Sequence, residues 1–406
     1  MNCRMCGSTN LYKFLDLGFT PPADQFRRKD QLKEPDVHYP LDVCVCDDCG
    51  LVQLGYVVSP EILYRNDYPY ESSTTQTGHR HWSSFSKTVV ENFKLSGEDL
   101  VVDIGSNVGV LLSEFKKNGV KVQGVDPAAN IVMLARERGI ETICEFFNMD
   151  TAEKIVSERG HASVITGTNV FAHVNDLDAF MNSIKRLLNT KGIFVFEAPY
   201  FGNLLSANEY DTIYHEHLSY LSLKPLLPFF EKFDMEVFDV EQVDIHGGSF
   251  RVFVGKKSAR PISNIVNTLI EQELASGMYD HDKLNQFSKN VEKNKKDLTW
   301  LLHSLKNQGK SIVGVSAPAK GMTLLNYCGI DQSILDFVTE KSTLKIGRYT
   351  PGAHIPVLPD SALLEHKPDY ALLLAWNFAD EIMKNLEEFR KAGGKFIIPI
   401  PHPVII

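Results

Sequence analysis

The chain has no apolar run approaching the ~18 residues of a membrane-spanning helix. Its first residues, MNCRMCGSTN, hold cysteines and polar groups where a secretory leader would need an apolar core. A cytoplasmic protein with no membrane partner is the expectation. Positive charge is also scarce. Lys and Arg number 42 against 51 Asp and Glu, a formal net charge of −9. Nucleic-acid binding calls for a basic face, so no such partner is expected. A small nucleotide-linked ligand is still compatible, because a few local cations suffice for it. The rest is ordinary globular composition: 406 residues, 43% hydrophobic and 23% charged. At roughly 100–200 residues per domain, that length predicts two to three domains with buried cores.

The stretch from Asp99 to Asp126 organises the reading. The apolar run Leu100-Val101-Val102 ends at Asp103, and a glycine loop follows from Gly105 through Ser106 and Asn107 to Gly109. An amphipathic segment begins at Val110, and a second apolar run, Val120 to Val125, ends at Asp126, 23 positions after Asp103. Strand, tight turn, helix, strand is one parallel βαβ unit. Glycines let backbone approach a ligand at the helix N-terminus, and a second acidic residue at this distance suits a ribose diol. The dinucleotide fingerprint G-x-G-x-x-G is absent. The pattern is instead D-x-G-x-x-x-G, which resembles the first motif of class I S-adenosylmethionine (SAM) methyltransferases.

Further strands are predicted at Ile140–Ile143, Ser163–Gly167 and Gly192–Glu197, with helices over 79–93 and 177–188 and an edge strand over 247–254. Strands alternating with helices predict a doubly wound α/β sheet. Asp103, Asp126, Asn169, His173 and Glu197 fall at or just past carboxyl ends of its strands, where such sheets gather ligands. Between them, Tyr210 to Tyr220 concentrates His215, Glu216, His217 and three tyrosines. It is not H-E-x-x-H, which removes the zinc-protease reading. It reads either as a polar loop or as a general acid/base cluster at the cofactor site.

Five of the seven cysteines lie in the first 49 residues. Cys3-x-x-Cys6 and Cys46-x-x-Cys49 are each followed by glycine, and together they offer four thiolates for a closed structural Zn²⁺ site. Cys44 is surplus to that spacing. The segment Tyr68 to Ser73 reads either as a turn or as pocket lining. Residues 256–300 read as a charged, solvated connecting helix. A second α/β unit follows, with strands at 311–315, 334–338, 370–375 and 395–398. Its loop Ser316 to Gly321 opens a helix and reads equally as a phosphate seat or as structure alone.

Taken together, these pieces resemble one family over nearly the whole chain: SAM-dependent sugar C-methyltransferases acting on nucleotide-linked 4-keto-deoxy sugars. The resemblance rests on the two cysteine pairs, on Leu15-Asp16-Leu17-Gly18 with Pro21-Pro22-Ala23-Asp24, and on Tyr68-x-Tyr70-x-Ser72-Ser73. It continues through Asp103-Ile104-Gly105-Ser106-Asn107, Tyr214-His215-Glu216-His217 and Ser316-Ala317-Pro318-Ala319-Lys320-Gly321. Val108 departs from it, standing where the family often has Asp or Gly. The resemblance implies a zinc-binding domain (1–75), a SAM domain (76–255), a helical connector (256–300) and a C-terminal Rossmann-like domain (301–406). It implies SAM held by Asp103, Gly105, Ser106, Asn107, Gly109, Asp126 and Asn169, and zinc held by Cys3, Cys6, Cys46 and Cys49. It implies His217 as the base at C-3 of a dTDP- or GDP-linked keto sugar, helped by Glu216, Tyr214, Tyr68 and His173. Methylation of an oxygen or nitrogen on another small acceptor, and a non-catalytic SAM-binding zinc scaffold, are the alternatives.

Overall fold

A computed structural model describes residues 1–65, 68–72, 76–245 and 247–406. Ser73, the last residue of the tyrosine motif, lies outside the described residues. Within them the strands form three sheets, of four, seven and six strands.

The first sheet begins with β1 (Leu11–Thr20), β2 (Tyr39–Cys46) and β3 (Val52–Leu54). The central sheet takes β4 (Leu100–Ile104), β5 (Lys121–Val125), β6 (Thr142–Ile143), β7 (Ala162–Thr168) and β8 (Leu188–Pro199). β9 (Ser219–Tyr220) leaves the central unit and pairs antiparallel with β3, closing the first sheet. The chain then returns through β10 (Met235–Val243) and β11 (Ser249–Lys256). The order across the central sheet is β10-β11-β8-β7-β4-β5-β6. β4 to β8 are mutually parallel; β11 runs antiparallel to β8, and β10, antiparallel to β11, returns to the common direction. This is the class I methyltransferase arrangement. β4 is buried at every residue, as a central parallel strand with helices on both faces must be.

Three expectations need correction. Residues 247–254 do not form an edge: β11 sits inside the sheet, and β10, which sequence reading missed, is the edge. All of β11 except Lys256 is buried, and Arg251 in its middle gave the false look of a solvated face. The strand expected at 334–338 begins at Val338 instead. The amides of Ile334 and Leu335 bond back to the Asp331 carbonyl in a turn that the Asp331 side chain also caps. Finally, helix His281–Asn307 is not solvated all round. Leu284, Phe287, Val291, Asn294, Leu298, Leu302 and Leu305 line one buried face, and the lysines occupy the others.

The third sheet is β12 (Ile312–Val315), β13 (Val338–Glu340), β14 (Val357–Pro359), β15 (Tyr370–Leu373), β16 (Lys395–Ile398) and β17 (Val404–Ile405), in the order β14-β13-β12-β15-β16-β17. Helix Ala319–Cys328 follows β12 at once, and helix His281–Asn307 packs between this unit and β1.

One buried ionic cluster ties helix Gln76–Phe93 to the central sheet. The Arg251 guanidinium donates to Glu197 at 2.6 Å and 2.7 Å and to Glu241 at 2.6 Å, and it lies 3.8 Å above the Phe85 ring centroid. His81 Nε2 lies 2.7 Å from the other Glu197 oxygen. Burial pushes the Glu197 pKa up, but the His81 bond and the Arg251 charge outweigh burial and leave it below the usual carboxylate range. Removing one member of such a cluster strands the other. Arg251→Met should therefore lower stability by about 3 kcal/mol, read as a shift in the urea unfolding curve.

Candidate active site

The carboxyl ends of β4, β5 and β7 open onto a cavity of about 1140 Å³. That exceeds the ~300–1,000 Å³ of a typical single-ligand pocket, so there is room for two ligands side by side. Asp103, at the end of β4, is buried and accepts the Thr166 hydroxyl at 2.6 Å. Burial raises its pKa to about 7 against the pull of that hydroxyl bond. The loop beyond it turns through left-handed backbone at Gly105 (φ 64), Asn107 (φ 50) and Gly109 (φ 77). Glycine is required at Gly105 on two counts, since a Cβ there would also run into the Val170 side chain. Asp126, at the end of β5, accepts the amide of Asn107 on one oxygen and that of Ala128 on the other, both at 2.9 Å. Burial raises this carboxyl as well. Asn169, past β7, is left-handed (φ 56) and lines the same wall, as does Ser106, whose buried Oγ has no hydrogen-bond partner.

The Asn107 side chain reaches across the cavity mouth. Its Oδ1 accepts from the Ser72 amide at 3.0 Å, and its Nδ2 donates to the Tyr70 carbonyl at 3.1 Å. Asn130 Nδ2 donates to the Tyr68 carbonyl at 2.8 Å. Segment 68–72 is therefore pocket lining, sewn onto the glycine loop.

The opposite wall carries Tyr68, His173, Tyr214, Glu216 and His217. Tyr68 OH donates to Glu216 at 3.2 Å. Glu216 is buried, and burial together with the nearby Asp24 carboxylate holds its pKa well above the usual value. His217 Nδ1 lies 2.8 Å from the Thr212 carbonyl, and its ring packs against Tyr214 (4.0 Å between centroids) and His173 (5.1 Å). Burial, and then His217, push the His173 pKa well below that of a free imidazole. Burial raises Tyr68 and Tyr214, with Glu216 adding to the effect, so both stay protonated phenols. His215 faces away. It packs beside Tyr39 of the first sheet and takes no part in the cavity wall.

Sequence reasoning missed part of this wall. Asp24 comes from the first unit and bonds Lys345 of the third at 3.2 Å, and both are buried. Trp82 lines the cavity with a partnerless indole N–H, and Lys320 and Lys341 line it from the third unit. Asp24 and Lys320 lay in quoted motifs without an assigned role, whereas Lys345 and Trp82 carry no local signal at all.

Away from the cavity, Cys3, Cys6, Cys46 and Cys49 bring their sulfurs within 4.8 Å of one another. Sγ separations of 3.5 Å (Cys3–Cys49) and 3.6 Å (Cys6–Cys46) are close to the ~3.8 Å edge of a tetrahedron with ~2.3 Å Zn–S bonds. Each knuckle closes on a left-handed glycine, Gly7 (φ 77) and Gly50 (φ 87), whose amide returns to the carbonyl of the first cysteine. Cys44 is buried outside the group. The four residues fit zinc, and a closed thiolate set has no open position for chemistry.

Comparison with known proteins agrees along the whole chain. Residues 3–64 match a family described as a zinc binding domain, 80–240 a methyltransferase domain, and 244–401 a C-methyltransferase C-terminal domain. The sequence is 36% identical to the C-methyltransferase NovU of Streptomyces niveus over 405 residues, 100% of this chain and 96% of the relative. The chain belongs to the SAM-dependent C-methyltransferases. The ubiquinone biosynthesis O-methyltransferase of Rhodopseudomonas palustris (strain BisB5) is 26% identical over 95 residues, 23% of this chain and 38% of that one. The SAH-bound magnesium protoporphyrin IX methyltransferase of Synechocystis PCC 6803 aligns with a TM-score of 0.36 at 12% identity, over 46% of this chain and 90% of that one. The donor of this family, SAM, is a cation. The buried carboxylates Asp103 and Asp126 and the room beside them suit it. No helix among the described residues is long and apolar enough to cross a membrane.

Two predictions follow from these centres. Metal analysis of the purified protein should find about one zinc per chain, and Cys46→Ser should abolish it and lower the melting temperature. Asp103 binds its proton more tightly folded than unfolded, so its ionisation opposes folding as pH rises from about 4 through about 7. Asp103→Asn should therefore melt higher than wild type at pH 8 and alike at pH 4, in ligand-free thermal scans.

Proposed function

We propose that this protein transfers the SAM methyl to C-3 of a nucleotide-linked 4-keto-6-deoxy sugar, dTDP or GDP bearing the sugar, in branched deoxysugar synthesis. The observation that carries this reading is the meeting of His217, Tyr214, Glu216 and Tyr68 with the glycine loop in one cavity. Similarity to NovU over the full length supports a carbon acceptor. Lys320, Lys341 and Lys345 bring positive charge to the cavity of an otherwise acidic chain, as a nucleotide diphosphate needs. The division into units 1–75, 76–255, 256–300 and 301–406 belongs to the same proposal. So does a cytoplasmic setting, which would keep the cysteine thiols reduced.

In this reading Asp103, Gly105, Ser106, Asn107, Gly109, Asp126 and Asn169 bind the donor. Bound SAM supplies an electrophilic methyl. A 4-ketone acidifies the hydrogen on C-3, and His217 removes it as general base. Negative charge then develops on the 4-oxygen. Tyr214 and Tyr68, held protonated by their surroundings, donate hydrogen bonds to it. Glu216, with its raised pKa, stays protonated and orients a sugar hydroxyl. His173, kept neutral, completes the acid/base pair. Carbon C-3 then attacks the methyl in line, which requires both ligands in the same cavity.

The test is incubation with SAM and dTDP- or GDP-linked 4-keto-6-deoxy sugars in deuterated buffer, followed by mass spectrometry. One added methyl and deuterium exchange at C-3 are expected. His217→Asn should lose both by about 10²–10⁴-fold while still binding SAM. Transfer without C-3 exchange in any variant would point to an oxygen or nitrogen acceptor and overturn the reading.

A further inference from the structure

The third sheet unit reaches the acid/base wall through residues that do not touch the cavity. The Thr212 carbonyl can only accept a hydrogen bond, so His217 Nδ1 at 2.8 Å must carry the proton. In a neutral imidazole that leaves the lone pair on Nε2, the form a base needs. The position of the Thr212 carbonyl therefore favours Nε2 as the basic nitrogen.

That carbonyl belongs to the short 3-10 turn Tyr210–Thr212, and side-chain hydrogen bonds tie each of its residues down. Tyr210 OH donates to Asn294 Oδ1 at 2.8 Å. Asn294 in turn donates to the carbonyls of Pro399 and Pro401, both at 2.9 Å, in the connection between β16 and β17 of the third sheet. The Asp211 carboxylate is wholly buried and accepts the Trp376 indole N–H at 2.7 Å. Among the described residues its other oxygen has no side-chain partner. The Lys320 ammonium lies 4.3 Å from the Trp376 ring centroid and offsets the buried charge. Thr212 Oγ1 donates to the Glu209 carbonyl at 2.7 Å. A carboxylate this deeply buried is a poor stabilising device, because burial without full pairing is unfavourable. It is a good locating device, since the indole bond allows it one position.

We propose that Asp211, anchored by Trp376, is a positioning residue that sets the tautomer of His217, and that the C-terminal unit serves the reaction by holding this anchor. The inference rests on His217 being the base. Neither Asp211 nor Trp376 lines the cavity, so neither is a substrate contact.

The experiment combines two readouts on the full chain labelled with 15N-histidine, with the His217 ring signals identified by their loss in His217→Asn. Wild type should show His217 in the Nδ1–H form. Trp376→Phe removes the indole donor and keeps an aromatic ring under Lys320. It should give a mixture of tautomers, and deuterium exchange into the keto sugar should slow by about 10-fold with KM within about 2-fold. Asp211→Asn, which keeps an acceptor for the indole, should stay closer to wild type than Asp211→Ala in both readouts. An unchanged tautomer in Trp376→Phe overturns the proposal, whether or not exchange slows. If wild type exchanges no keto sugar while the tautomer still shifts, the positioning role stands and the acceptor assignment falls.

Discussion

Asn107 is the residue on which the site depends most directly. Its left-handed backbone aims its amide at Asp126, which sets the glycine loop against the end of β5. Its side chain faces the other way and holds the backbone of Tyr70 and Ser72. One asparagine thus joins the glycine loop on one side of the cavity to the tyrosine segment that lines it. Asparagine suits the place because it tolerates φ > 0 better than other residues with a side chain and offers both a donor and an acceptor. A glycine would keep the turn and lose the link. An aspartate would keep the acceptor for Ser72, lose the donor to Tyr70, and put a third charge beside Asp103 and Asp126.

The same chemistry explains why carboxylates in one molecule behave differently. Glu197 and Glu216 are both buried, but Glu197 faces a guanidinium and an imidazole, whereas Glu216 faces Asp24 and a phenol, with the Lys345 charge a smaller influence. The first is held ionised and is structural. The second lies at the edge of a cavity, where burial and Asp24 favour its neutral form. Burial alone does not separate the two, since it raises both. The sign and number of charged neighbours decide.

What could be read in the sequence follows the range of the interactions involved. The βαβ unit around Gly105 was legible because strand, loop and helix are local, and the glycines mark backbone that other residues disfavour. The cysteine pairs were legible because zinc geometry constrains spacing. Strand order was not: Arg251 in β11 reads as a solvent face until Glu197, His81 and Phe85 are found around it. The buried face of helix His281–Asn307 was hidden by its lysines, and Asn294 on that face gives no apolar signal. Lys345 meets Asp24 across 321 positions, a pairing no local pattern encodes.

Asp24, Glu216 and Lys345 come from three different sheet units and meet at one wall. Neither the Asp24 nor the Lys345 charge is tolerable there alone. An unpaired buried lysine or carboxylate would neutralise or draw water into the cavity. The first and third units therefore each supply what makes the other's buried charge acceptable, and this wall of the cavity is complete only when all three units are docked. The first sheet takes β9 from the central chain for the same end. Strand β9 lies two residues beyond His217, so pairing it with β3 fastens one end of the His217 segment to the zinc-knuckle unit. The Tyr210–Thr212 turn fastens the other end to the C-terminal unit. A segment held at both ends by different units keeps its histidine in place as long as those units stay together, which is a structural reason for a methyltransferase of this kind to carry two extra domains that do not form the donor loop.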